Sequence, residues 1–293
     1  MKIIHSYWTL PTIRNGYIRN TGIWLNKKYN FISWMLSALQ FLQFYENVEL
    51  ITDDHGKVLL IDKLNLPYTH VSQDLNRLNN YNPGLWGLSK IYAYGVQNEP
   101  FIHVDGDLYI WKKFDQKLEN SPLVAQHLEV NFDYYEGMID EVKYHFDYIP
   151  DYLCREEWGV QDVFAYNSGI LGGNDVDFLN EYAKETFTFL KRNRECLHKI
   201  RVRNLAVFDQ YFFYCFAREH GKENEVACYF DNMDPGFTGL DDFKGVPSRS
   251  HFLHLLYTHK KSQKNCEALE SRLRKDYPEY YYRIIGLLKN HEV

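Results

Sequence analysis

Short apolar runs alternate along this chain with stretches of helical period, and that alternation restricts the fold more than any other feature. Lys2–Tyr7 is an apolar run, after which Phe31, Trp34, Met35, Ala38, Leu39 and Leu42 recur at helical spacing. Val48–Thr52 reads as a second strand, closing on Asp53-Asp54-His55-Gly56, a turn-forming cluster. A helix over 87–96, with Leu88, Ile91, Tyr92 and Gly95 on one side, precedes a strand over Phe101–Val104 that Pro100 introduces. Residues 165–171 read as another strand ending in Gly172-Gly173-Asn174, and helical patterns follow over 175–194 and 204–220. Late strands are expected over 226–230 and 252–256. Strands alternating with helices predict an α/β layered sheet, in which ligands gather at the carboxyl ends of the strands. With no repeat, low-complexity tract or linker, the expectation is one domain over 1–260 with a helical C-terminal extension over 261–293.

At 293 residues the chain can bury roughly 75% of the surface its unfolded form exposes, so a core needs no disulfide or structural metal. Its five cysteines, Cys154, Cys196, Cys215, Cys228 and Cys266, are odd in number and form no C-x-x-C pair, which argues for a reducing, cytoplasmic setting. The opening MKIIHSYWTLP is broken by His5, Ser6 and Pro11 too early for a signal-peptide core, and no run of about 18 apolar residues offers a membrane span. A net charge of −6 argues against an extended nucleic-acid surface. The charge is uneven: residues 249–293 hold 9 Lys/Arg and 5 Asp/Glu, whereas 1–248 hold 24 and 34. Such a basic tail suits a phosphate-bearing ligand or an anionic membrane surface, and equally a solvated face of surface helices. Within it Tyr280, Tyr281, Tyr282, Ile284, Ile285, Leu287 and Leu288, with Arg283 and Lys289, suit a peripheral helix at the inner face of a membrane, or packing on the rest of the chain. The 24 Tyr, 19 Phe and 6 Trp serve either a large core or the stacking walls of sites for sugars and nucleobases.

Three stretches carry chemistry. In Phe101-Ile102-His103-Val104-Asp105-Gly106-Asp107, two carboxylates one Gly apart sit at the end of an apolar strand, where both can be aimed at one point. Oxygen ligands of this kind suit Mg²⁺ or Mn²⁺, which bind one or two carboxylates together with substrate phosphates. A plain turn of Asp and Gly explains the same residues structurally. In Tyr166-Asn167-Ser168-Gly169-Ile170-Leu171-Gly172-Gly173, small residues permit close backbone approach to a ligand, and Asn167 and Ser168 can hydrogen-bond sugar hydroxyls; Gly172-Gly173 also suits a β-turn. In His251-Phe252-Leu253-His254-Leu255-Leu256-Tyr257-Thr258-His259-Lys260, an imidazole can complete a carboxylate-bound metal and a Lys can neutralise a diphosphate.

Together these stretches resemble the GT-A class of nucleotide-sugar-dependent glycosyltransferases. More narrowly, residues 86–111 and the chain length resemble bacterial proteins of the DUF6734 group, and the likeness covers most of 1–262. It implies a GT-A, Rossmann-like mixed sheet flanked by helices. Asp105 and Asp107, with Gly106 between them, would hold Mn²⁺ or Mg²⁺ bridging the donor's diphosphate. A late H-x-x-G-x-x-K frame, here His254-Leu-Leu-Tyr257-Thr-His-Lys260, would give His254 to the metal and Lys260 to the phosphates. Tyr257 stands where the pattern has Gly, which leaves His251 and His259 as alternative ligands. Lys90, on the helix before the acidic pair, would contact the donor, unless it is a solvated helix charge. Tyr7, Thr9, Thr52 and Asp53 would frame the base. Asp209, Gln210 and Asn167 would lie near the reaction centre, although Asp209 also suits the N-terminus of a helix.

The expected activity is metal-dependent transfer of a sugar from a nucleotide-sugar donor to a hydroxyl of a glycan, glycolipid or polysaccharide, and the late His-Lys frame leans towards retention. Asp209 is the candidate base if the reaction inverts. A nucleotidyltransferase is the rival enzyme, but it needs a glycine- and basic-rich loop near the N-terminus, of which Ile13-Arg14-Asn15-Gly16-Tyr17 is a poor version. A non-catalytic carbohydrate-binding protein is the rival outside catalysis.

Overall fold

The first strand is buried along its whole length, as a strand in the interior of a sheet flanked by helices must be. In the computed structural model, residues 1–14, 21, 23–131, 133–153, 162–199, 207–231 and 239–293 are described. Residues 15–17 of the N-terminal loop motif, Cys154, and the start of the helix expected from 204 lie outside them. The strands are β1 (Lys2–Tyr7), β2 (Val48–Thr52), β3 (His70–Ser72), β4 (Phe101–Val104), β5 (Leu108–Ile110), β6 (Leu123–Ala125), β7 (Leu128–Val130), β8 (Phe164–Tyr166), β9 (Ile170–Gly173), β10 (Val226–Cys228) and β11 (Phe252–His254). Seven form a mixed sheet in the order β10-β6-β9-β4-β1-β2-β3, while β11 pairs with β5 and β7 with β8. The pairs β1–β2, β2–β3 and β10–β6 are parallel, and β6–β9 is antiparallel. This is the mixed α/β sheet with flanking helices that the alternating pattern predicts.

The chain divides into two units. The first comprises Met1–Gly84, Val104–Phe114 and Phe237–Val293. Its core gathers Ile32, Met35, Leu36 and Leu39 of the Lys27–Phe44 helix with Leu50, Tyr109 and Leu253. Asn26 caps that helix by accepting the Tyr29 N–H. Helices Gln263–Asp276 and Pro278–Lys289 follow the expected extension, and both pack on Lys27–Phe44. Cys266, Leu269, Leu273 and Ile284 enter the same core, leaving Tyr282 and Arg283 exposed.

The second unit comprises Leu85–His103 and Asp115–Gly236. There the helices Leu88–Gly95 and Val176–Arg192 pack so closely that a methyl on Gly95 would meet the Ala183 side chain. Much of the aromatic excess is core here: Tyr182, Phe213, Phe216 and Phe178 interlock at centroid separations of 5.0–6.3 Å.

Three local expectations change. Asp53-Asp54-His55-Gly56 is not an open turn: Asp53 caps a short Asp54–Lys57 helix by accepting the Gly56 N–H. Residues 165–171 do not form one strand, because the Asn167 side chain accepts the Gly169 N–H and turns the chain between β8 and β9. Gly172 and Gly173 lie within β9, where a Cβ would strike Phe101 O and Pro122 O; φ is +134° at Gly173. Their small size serves sheet packing, not a turn.

Candidate functional site

In the first unit β4 ends at Val104, and Asp105-Gly106-Asp107 turns the chain directly into β5. Two serines of the Lys27–Phe44 helix hold this turn. Ser33 donates to Gly106 O at 2.8 Å, and Ser37 donates to Leu108 O at 2.7 Å and Asp105 O at 3.3 Å. His5 of β1 meets Ser37 at 3.0 Å. Gly106 is required for space: a Cβ there would lie 2.5 Å from the Trp34 ring.

Strand β11 supplies the imidazole. Its antiparallel register sets His254 opposite Leu108, and Leu255 donates its N–H to Asp107 O at 3.0 Å. His254 Nε2 therefore stands 3.4 Å from Asp107 Oδ1 and 3.9 Å from Asp105 Oδ2. One ligand atom from each of Asp105, Asp107 and His254 falls within 4.8 Å of the others. Two carboxylates and an imidazole are a donor set for a hard to borderline divalent ion, so the residues present fit Mg²⁺ or Mn²⁺. His251 is exposed, and the register brings neither it nor His259 into this group.

Lys260 forms an ion pair with Asp107 Oδ2, and its ammonium lies 6.0 Å from the centre of the Trp24 ring. Burial opposes ionisation of Asp107, but the Lys260 charge and the His254 ring outweigh it and hold the carboxyl well below the usual range. Tyr257, in place of Gly, is 59% exposed and bonds Lys261, so its ring is carried outward while Lys260 still reaches Asp107.

The four residues expected at a base are buried in the same unit. The Thr52 hydroxyl donates to Tyr7 O at 2.6 Å, tying the ends of β1 and β2 together. Asp53 accepts from the Thr9 N–H at 2.8 Å, the Thr9 hydroxyl and the Gly56 N–H. Burial and the Asp53 charge raise the Tyr7 phenol above its ordinary range, so it is protonated at neutral pH.

The second unit holds a polar cluster of its own. Lys90 is buried, not solvated: its ammonium lies 3.1 Å from Ser168 Oγ and 3.3 Å from Asp209 Oδ2. Ser168 donates to the same Asp209 oxygen at 2.8 Å. Asp209 lies in the first turn of a π-helical element, Val207–Tyr211, that leads into helix Phe212–Glu219, a place where a helix N-terminal acid is expected. Asn167 donates to Glu129 Oε1 at 2.8 Å, and Tyr135 Oη stands 2.6 Å from Glu129 Oε2 and 2.5 Å from Gln210 Oε1. His127 Nε2 is 3.4 Å from Glu129. Glu129 and Tyr135 are absent from the sequence expectations. The available signal was one acid inside the short run Leu128-Glu129-Val130, buried to 3% exposure.

A family model described as a family of unknown function, DUF6734, matches residues 1–287. The chain belongs to DUF6734. The matched span includes both carboxylates, His254, Lys260 and the second cluster. No curated protein matches this DUF6734 chain significantly. Among solved structures, one similar to the DUF6734 chain is galactosyltransferase LgtC in complex with donor and acceptor sugar analogs, at 10% sequence identity and a TM-score of 0.42, with 92% of this chain and 96% of that chain covered. Among the described residues no helix is long and apolar enough to cross a membrane.

Proposed function

We propose that the protein is a divalent-metal-dependent glycosyltransferase that moves a sugar from a nucleotide-sugar donor to a hydroxyl of a carbohydrate or glycolipid. The observation that carries this reading is the convergence of Asp105, Asp107 and His254 beside Lys260 at the end of β4. Carboxylates that attract a cation and a lysine that attracts an anion suit a metal-bound diphosphate better than either ligand alone.

Asp105, Asp107 and His254 would hold Mn²⁺ or Mg²⁺, which when bound stabilises negative charge on a departing diphosphate. Lys260 would exchange its pairing with Asp107 for the phosphates, adding a positive charge where the leaving group gathers negative charge. No protein proton donor is needed for a diphosphate leaving group. Tyr7, Thr9, Thr52 and Asp53 are proposed for the nucleoside; the bonds from Thr52 to Tyr7 O and from the Thr9 N–H to Asp53 hold this corner in place. Lys90 is proposed for the donor, and Gln210 and Asn167 for stabilising a retaining transition state. The engagement of Asp209 with Ser168 and Lys90 favours an orienting role over removal of an acceptor proton. We take 1–260 as the catalytic part, with exposed Tyr282 and Arg283 of 261–293 as a contact for an anionic membrane at its cytoplasmic face.

The test is release of nucleoside diphosphate from a panel of nucleotide sugars, with Mn²⁺ and with chelator. Metal-dependent turnover is expected for the wild type, and Asp107→Ala should abolish it. Unchanged transfer by Asp107→Ala would sink the proposal. Metal-independent binding of free glycan, without nucleotide binding, would favour a carbohydrate-binding protein instead.

A further inference from the structure

We infer that His5 is a positioning residue for the acidic turn, held in the Nε2–H tautomer with Tyr68 donating to its other ring nitrogen. The tautomer follows from hydrogen bonds within the first unit, and its bearing on function rests on the proposed metal site.

The chain of bonds ends on a group that can only accept. Leu255 N–H bonds Asp107 O, and Trp111 N–H bonds His251 O. Bonded positions alternate along an antiparallel pair, so Asp107, Tyr109 and Trp111 turn their backbone groups towards β11 and Leu108 turns its own away. Leu108 is fully buried, and its carbonyl is met instead by Ser37 Oγ at 2.7 Å. A hydroxyl has one proton and a carbonyl has none, so the Ser37 proton is committed to the turn.

Ser37 Oγ then has only lone pairs for His5 Nε2, 3.0 Å away, and Nε2 must carry the hydrogen. Burial lowers the His5 pKa to about 3, so at neutral pH the ring has a single proton and Nδ1 is bare. Tyr68 Oη, 3.2 Å from Nδ1, therefore donates to it. Trp34, Phe41 and Tyr68 each meet the imidazole edge to face with centroids 5.7 Å away, which fixes its plane. The Nδ1–H tautomer would set a bare Nε2 against Ser37, draw its proton off the turn and leave Leu108 O buried without a donor, the costlier arrangement.

Ser33, one helical turn earlier, repeats the pattern. It donates to Gly106 O at 2.8 Å, so the buried Tyr109 Oη, 2.7 Å away, donates to Ser33. Two chains of one direction, from phenol through serine to carbonyl, thus end on the residues that flank Asp107, and the longer of them passes through His5. Metal ligands must be placed to within about 0.2 Å, so what holds this backbone sets how well Asp107 meets an ion.

The experiment records the histidine ring nitrogens by ¹⁵N NMR in full-length protein near neutral pH without metal, His5 being the signal lost in His5→Gln. Wild type should show a protonated Nε2 and a bare Nδ1, and the reverse pattern would overturn the inference. Tyr68→Phe should keep the pattern, because its direction is set from the turn. Ser37→Ala should admit the Nδ1–H form, since Tyr68 can accept as well as donate; a pattern unmoved by Ser37→Ala would show that the turn does not set the tautomer. Calorimetric Mn²⁺ titration reads the positioning role. Gln carries its amide nitrogen near the place of Nε2 and Asn near that of Nδ1. His5→Gln should therefore hold Mn²⁺ affinity within about threefold, while His5→Asn and Ser37→Ala each lower it by about tenfold, the loss expected for one hydrogen bond. His5→Asn should add little to Ser37→Ala. Equal affinities in His5→Gln and His5→Asn, or additive losses, would show that His5 does not act through Ser37. Absence of Mn²⁺ binding in wild type would overturn the metal site and the positioning role with it, while the spectrum still decides the tautomer.

Discussion

Gly106→Ala is the most direct probe of how the acidic turn is held. The added Cβ would lie 2.5–2.6 Å from Cε2, Cδ2 and Cζ2 of Trp34, whereas carbon atoms rest at about 3.5 Å or more. Relief therefore needs a separation of about 1 Å. The ring cannot simply recede, since Tyr7 is 4.7 Å and His5 5.7 Å from it centre to centre. Part of the displacement must fall on the turn, against the bonds from Ser33 and Ser37. Overpacking of this size costs about 1–3 kcal/mol, read by urea unfolding without metal. Metal ligands tolerate displacements of only about 0.2 Å, so calorimetric Mn²⁺ affinity should also fall, by about tenfold or more. Trp34→Ala removes all three ring atoms that the methyl would strike, and added to Gly106→Ala it should restore much of the Mn²⁺ affinity. Wild-type stability and Mn²⁺ affinity in Gly106→Ala, or no recovery in the double variant, would refute the reasoning.

Two further outcomes separate the roles of charged and buried groups. Lys260→Met should tighten Mn²⁺ binding in the absence of nucleotide, because a competing cation leaves Asp107, and should weaken nucleoside diphosphate binding in the presence of Mn²⁺; changes of the same sign in the two calorimetric titrations would contradict the shared role of Lys260. Burial lowers the His5 pKa to about 3, so between pH 6.5 and 3 the unfolded chain binds a proton that the folded chain refuses. The contribution of His5 is thus fully present above pH 6.5 and is lost as pH falls through that window, by up to about 1.4 kcal/mol per pH unit. Urea midpoints measured from pH 8 to pH 4 should show this slope flattened in His5→Gln, and an identical slope would exclude it.

The frame of the fold was legible because β1, β2 and β4 are short runs rich in apolar residues whose bounds need no tertiary partner to define them. Strand β5 was visible only as an apolar run, Leu108 to Trp111, since three residues carry too little period to be named a strand. The choice among His251, His254 and His259 was not legible, because it depends on the β5–β11 register, and pairing across distant segments leaves no mark on local spacing. Trp34 sat correctly on a helical face, yet nothing in the spacing foretold that its ring would stand over Gly106. Asn167 broke an expected strand because its own side chain competes for a backbone N–H. Glu129 and Tyr135 escaped notice since each becomes meaningful only through the other and Gln210.

The pairing of β5 with β11 also has a temporal side. Asp107 and His254 are roughly 150 residues apart, and synthesis at about 5–20 residues per second delivers the second about 7–30 s after the first. A nascent chain thus carries the two carboxylates well before it carries the imidazole and the ammonium that complete the group. Throughout that interval the acidic turn is an unfinished, weak cation trap, and competence arrives in one late event. If the proposed metal site is real, the order of elements along the polypeptide leaves its full set of ligands to the finished protein and withholds it from the growing chain.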